Sequence, residues 1–228
     1  MTSPPASVPT RNRASAVLAT LALVSITGFS AVLVALHLLR PDVPPLAMGV
    51  SHYANGAAGG IFRVATAALG LGGLALMLGL ALGLAPAARS VTGLALLGLW
   101  GVAQFVTACF PIDAPGAPAT TAGTIHGLAG LSFLAAVASA LLLTRACQRD
   151  PRWLAIAGPM RVLALTLLVA AVALYVLIEP LAGLGVGGLA QRIYWVALLA
   201  WLACTALWLR STSAAPERSH PDAPPALA

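Results

Sequence analysis

The 228-residue chain contains no lysine; its twelve basic residues are all arginine, and they face only six acids. Charged residues make up 8% of the chain, against roughly 25% in an ordinary soluble domain. That leaves too little polar surface to cover a composition that is 60% hydrophobic, so a soluble enzyme and a disordered chain are excluded. Cysteine is scarce as well. Cys109, Cys147 and Cys204 are odd in number and form no CxxC or Cys/His run, which excludes a disulfide scaffold and gives no support to a zinc-finger type site. A Walker loop, a GxSxG elbow and a GxGxxG string after a strand are also missing.

What the chain has instead is length in apolar runs. Six of them occur, at about 14–39, 61–85, 91–110, 122–144, 160–179 and 193–209. Each is close to the ~20 residues that a helix needs to cross ~30 Å of hydrocarbon at 1.5 Å per residue. The breaks have local causes: Pro41, Pro44 and Pro45 end the first run, Pro86 the second, Pro111 the third and Pro180 the fifth. Ser90 and Thr120 or Thr121 are placed to cap the third and fourth helices. The pattern predicts an all-α bundle of six transmembrane helices over residues 14–210, with disordered ends at 1–13 and 211–228. The first run, 26 residues from Ala14 to Leu39, exceeds the ~7–15 of a signal-peptide core and is read as a retained helix.

Arginine counting sets the expected orientation. With the N-terminus inside, nine arginines fall on the cytoplasmic side and three, Arg40, Arg63 and Arg192, on the outer side. Both termini are then cytoplasmic. A pI near 10.3 reports this topology rather than nucleic-acid binding, because the arginines flank apolar segments. The arginine-only, alanine-rich usage suggests a bacterial genome of high GC content, hence a bacterial inner membrane. The basic loop 145–159 is placed to touch anionic lipid. Gly79 and Gly83, and Gly123 and Gly127, form GxxxG pairs that suit packing within the chain, with a homodimer seam as the less favoured alternative.

Given that orientation, the remaining polar residues gather on one side. His52 and Tyr53 lie in the first outer loop, Arg63 opens the second helix, and Asp113 follows the third in FPID. His126 sits in the first turns of the fourth helix, Glu179 ends the fifth, and Arg192 opens the sixth in QRIYW. Charges at membrane depth are costly unless paired, so these side chains are expected to point into a shared outward pocket. There Arg63 or Arg192 would pair with Asp113 or Glu179.

At these residues the chain resembles the prokaryotic multi-pass membrane family catalogued as domain of unknown function 998. The resemblance lies in the order of short segments: SHYANG (Ser51 to Gly56), FPID (Phe110 to Asp113), GTIH (Gly123 to His126) and QRIYW (Gln191 to Trp195). It covers about residues 14–210 and implies six helices in a prokaryotic membrane, with no established activity to carry over. Tyr53, Asp113, His126 and Arg192 match family-like positions; Arg63 and Glu179 stand on the physical reading alone.

Three functions fit this pattern. The first is a binding protein whose outward pocket takes a lipid headgroup or small anionic ligand, for which arginine offers bidentate contacts. It requires no cofactor. The second is a metal-dependent intramembrane hydrolase with His52, Asp113 and His126 as ligands, although the HExxH and HxxxH strings of such enzymes are missing. The third is a small-solute transporter, which normally shows ionisable groups at mid-span or broken helices; the runs suggest neither. A haem reading of His37 with His126 is set aside, since His37 lies at an interfacial helix end beside Arg40.

Overall fold

The computed structural model describes residues 8–176 and 183–214. Among them there is no strand, and six helical spans are long and apolar enough to cross a membrane. The helices are α1 (Val8–Leu39), α2 (Gly59–Gly83), α3 (Val91–Cys109), α4 (Thr121–Gly130), α5 (Phe133–Cys147), α6 (Ala157–Val176) and α7 (Gly187–Ala214). The chain is a multi-pass membrane protein, with α4 and α5 together making the fourth span.

The spans form a ring. Each of α1, α2 and α3 packs on the next, α3 lies against α4 and α5, α5 against α6, α6 against α7, and α7 closes on α1. The core between them is filled by large apolar side chains, Phe29, Leu76, Trp100 and Trp201 among them, each exposed by 1% or less. Close approach is built in where α2 meets α1 and α7. A Cβ on Gly79 would meet Leu209 and Leu18, and one on Gly83 would run into Ser15 and Leu209. Ser15 Oγ donates to the Gly79 carbonyl at 2.9 Å. This glycine pair therefore serves packing within the chain.

Both ends of the described chain lie on one face, because Ser213 Oγ donates to Ser15 Oγ at 3.1 Å. This termini face carries the connections 84–90 and 148–156. The opposite, loop face carries 40–58 and 110–120.

The helices depart from the apolar runs in three places. The fourth span is expected to be one helix but breaks at Leu131–Ser132. There the Leu131 and Ser132 amides bond to Leu128 and Ala129, three residues back instead of four, a tightening typical of a hinge. The last helix starts at Gly187 and ends at Ala214, well outside the expected 193–209. Its polar first turns are helical because Gln191 and Arg192 find partners in the loop face. The first helix begins at Val8, ahead of Ala14.

Candidate functional site

The loop face is organised by two neighbouring arrangements, a clasp around Arg192 and a cavity beside it. Arg192 stands one turn into α7, where its guanidinium reaches the 43–54 segment. Nη1 donates to the carbonyls of Pro45 and Met48, both at 2.6 Å, and to Gly188 at 3.0 Å. Nε donates to His37 Nε2 at 2.7 Å, and Nη2 reaches the Tyr53 hydroxyl at 3.4 Å. The Arg192 carbon Cζ also lies 5.9 Å from the centre of the Tyr53 ring, within range of a cation–π contact. Because His37 Nε2 accepts, its proton sits on Nδ1 and is donated to the Leu33 carbonyl at 2.6 Å.

Gly188 makes the clasp sterically feasible. A Cβ there would collide with the Met48 carbonyl and lie 2.7 Å from that of Pro45, so only glycine lets the two carbonyls come within reach of Arg192 one turn later. Next to it, the Val50 amide donates to Gln191 Oε1 at 2.6 Å. On the other side of the loop, Arg40 binds Asp42 at 2.7 Å and the Asn55 carbonyl at 2.6 Å. Tyr53 and Arg192, predicted to share a site, thus do meet, but as parts of a clasp. Arg192 pairs with neutral acceptors rather than with Asp113.

Asp113 has a different task. Its carboxylate accepts from Thr120 N at 3.0 Å and Thr120 Oγ1 at 2.6 Å. Thr120 Oγ1 in turn accepts from the Gly123 amide at 3.1 Å, the capping bond of α4. These hydrogen bonds from Thr120 hold the Asp113 carboxyl below its usual range. A Cβ on Gly123 would run into the same carboxylate. Asp113 therefore seats the start of α4 and pairs with neither Arg63 nor Arg192, which corrects the expected ion pair.

The cavity, about 370 Å³, lies among α2 to α7 and the 50–51 segment. Its floor and sides include Phe62, Trp100, Phe133 and Trp195, and its polar groups include Arg63, Gln104, His126 and Gln191 beside Ser51, Thr66, Thr107 and Tyr194. Two of the predicted residues come together here. Arg63 is exposed, and no hydrogen-bond or charge partner stands against it among the described residues. His126 is only 7% exposed and donates Nδ1–H to the Phe110 carbonyl at 2.8 Å, which leaves Nε2 as an acceptor. Gln104, in the middle of the third apolar run, was overlooked in the sequence. It is 6% exposed, lines the cavity, and has no hydrogen-bond partner for its side-chain amide among the described residues. Its amide lines the open space of the cavity, where solvent or a ligand can reach it. Its signal is simple in retrospect: it is the one amide set between apolar neighbours inside a span. Gly127 and Gly130 complete the wall, and nothing lies within 4 Å of a Cβ built on either.

The predicted metal set does not assemble. Among the described residues no three His, Cys, Asp or Glu side chains converge, and Asp113 is committed to Thr120. Burial holds the His52 imidazole below its ordinary range. Glu179, the remaining candidate, lies outside the described residues.

The family model described as "Protein of unknown function (DUF998)" matches residues 23–208. The chain belongs to the DUF998 family. That match spans all six membrane helices, the Arg192 clasp and the cavity, so this DUF998 protein carries both arrangements inside the family region. No curated protein and no solved structure matches the chain.

Proposed function

We propose that the cavity on the loop face binds a small ligand bearing a carboxylate or phosphate, as a free solute or as a lipid headgroup. The observation that carries this reading is the cavity lining itself, where Arg63, an exposed cation with no hydrogen-bond or charge partner among the described residues, stands with the side-chain amide of Gln104. Arg63 supplies the charge for the anionic group. Gln104 and the free amide nitrogen of Gln191 donate, His126 Nε2 accepts, and the aromatic floor takes an apolar portion. At about 370 Å³ the space is near the lower end of the roughly 300–1,000 Å³ of small-ligand sites.

The arginine count supports an orientation with both termini cytoplasmic and the cavity facing outward, in a bacterial inner membrane. A reporter fused after the C-terminus, active only in the cytoplasm, checks the orientation.

Ligand-induced thermal stabilisation of the purified protein tests the binding. The probes are inorganic phosphate, benzoate and a short-chain lysophospholipid. Binding at a hundred times Kd adds about 2.7 kcal/mol. The reading expects one probe to stabilise the wild type and to lose that effect in Arg63→Gln and in Gly130→Leu, which fills the open wall. A response to phosphate or benzoate marks a solute site, and a response to the lysolipid alone marks a headgroup site. Stabilisation that is equal in both variants overturns the reading.

A second reading, passage of a small solute, is favoured by the break in the fourth span. Gly127 and Gly130, just before it, line the cavity, and broken helices beside a cavity are a feature of carriers. Uptake of the stabilising probe into proteoliposomes, abolished by Arg63→Gln, separates carriage from binding alone.

A further inference from the structure

On the termini face a second basic feature stands apart from the cavity. A groove of about 280 Å³ runs between α5 and α6, lined by Leu141, Thr144, Arg145, Gln148, Arg161 and Leu165, with Ala164 at its base. Its chemistry changes along its length. On α5, Leu141 lies four residues before Arg145 and therefore one turn deeper. On α6, which runs the other way, Leu165 lies four residues after Arg161, again one turn deeper. Two antiparallel helices thus present their arginines together at the end of the membrane span and their leucines together about 5.4 Å further in. Arg145 and Arg161 are both exposed.

The acid that could have neutralised them is engaged elsewhere. Asp150 is 2% exposed and paired with Arg152 at 2.7 Å, and no ion pair involves Arg145 or Arg161 among the described residues. Arg161 is steadied instead by a neutral group, donating to Gln148 Oε1 at 3.2 Å. The groove opens on the outward side of α6, where Val162 and Leu165 are 64% and 48% exposed. That is the side turned to acyl chains in a multi-pass protein.

We propose that this groove is a binding site for an anionic diacyl phospholipid. The phosphate sits between Arg145 and Arg161, and the first segment of an acyl chain lies over Leu141 and Leu165. Two cations without an ion pair among the described residues favour a net negative headgroup at the polar end, and the leucine step one turn deeper needs a chain attached to it. The site shares no residue with the loop-face cavity, so either can fail without the other.

The test is native mass spectrometry of the full-length protein in a neutral detergent, with dioleoyl phosphatidylglycerol, dioleoyl phosphatidylcholine and glycerol phosphate as probes. Phosphatidylglycerol is expected to be retained over phosphatidylcholine, with the preference falling as salt is raised. Each arginine removed should weaken it about five-fold, and Arg145→Gln with Arg161→Gln should abolish it. Gln148→Glu sets a carboxylate against Arg161 from within and should weaken binding about five-fold while leaving the fold intact. The Arg145→Lys, Arg161→Lys pair keeps the charge and should keep most of the preference. Equal retention of the two lipids by the wild type overturns the proposal. So does undiminished phosphatidylglycerol binding in the double glutamine variant or in Gln148→Glu. Glycerol phosphate binding as well as the lipid shows that the leucine step plays no part and overturns it also.

Discussion

Arg152 on the termini face and Arg192 on the loop face are satisfied in opposite ways. On the termini face, Asp150 accepts from Arg152 Nε and Nη2, at 3.0 and 2.7 Å, and from the Ala85 amide at 3.3 Å. Arg152 also donates to the Gly83 carbonyl at 2.9 Å, and its own carbonyl accepts from Trp208 at 2.8 Å. Opposite charges close on each other, and in doing so tie the end of α2, the 148–156 connection and α7 together. On the loop face, Arg192 is ringed by carbonyls, a histidine nitrogen and a phenol. Its neighbour Arg63 has no partner at all among the described residues. An arginine satisfied by neutral acceptors keeps its positive field, whereas one paired with a carboxylate loses most of it. The field of Arg192 and Arg63 is thereby left to suit an anion, while the Asp150–Arg152 pair serves as structure.

That contrast can be broken at several points. The largest effect is expected from Arg192→Gln, which strands the Pro45 and Met48 carbonyls and His37 together. It should cost about 3 kcal/mol or more, seen as a lowered Tm in detergent and faster proteolysis within 43–54. Arg192→Lys keeps the charge but not the fork and should recover only part of the loss. Asp150→Asn comes next, at about 2 kcal/mol, tempered because Arg152 is 42% exposed and can turn to water.

The same pair sets a pH dependence. The hydrogen bond from Arg152 lowers the Asp150 carboxyl below the ordinary aspartate value of 3.8. Its stabilising contribution is therefore complete above that value and is lost as pH falls through the depressed one. Acid titration of Tm should show this loss in the wild type and lack it in Asp150→Asn. Thr120→Ala, which removes the cap of α4, should cost about 1 kcal/mol. Smallest of all, Arg63→Gln should leave Tm within about 0.5 kcal/mol of the wild type while removing the ligand response. A large destabilisation by Arg63→Gln would make it a structural residue like Arg192 and erase the distinction between clasp and cavity.

Much of this architecture is written plainly in the chain. Apolar runs of span length and prolines at their ends report six crossings, because in hydrocarbon the backbone can satisfy itself only within a helix. The break at Leu131–Ser132 is not read from those two residues, neither of which is a helix breaker, although Gly127 and Gly130 just before it weaken the helix. The candidate cavity was legible only in part: of the polar residues grouped on the loop face, Arg63 and His126 line it, whereas Tyr53 and Arg192 form the clasp and Asp113 holds Thr120. Polarity alone groups Tyr53, Arg63, Asp113, His126 and Arg192. It cannot say that Asp113 turns back seven residues onto Thr120 or that Arg192 prefers carbonyls, because those choices depend on Gly188 and Gly123 giving the chain room to approach. Gln104 escaped because a search for ionisable groups passes over an amide, although an amide inside a span also needs hydrogen-bond partners. His37 was set aside as interfacial, yet it supplies the nitrogen that receives Arg192 Nε.

The clasp also orders events in time. Its acceptors at His37, Pro45 and Met48 leave the ribosome with the first span, whereas Arg192 arrives only with the last, 144 residues after Met48. During insertion those early carbonyls must stay with water or lipid headgroups while four further crossings are laid down. Locking of the 43–54 segment is therefore a terminal step of biogenesis, and a chain truncated before Arg192 would be threaded through the bilayer yet remain unlatched.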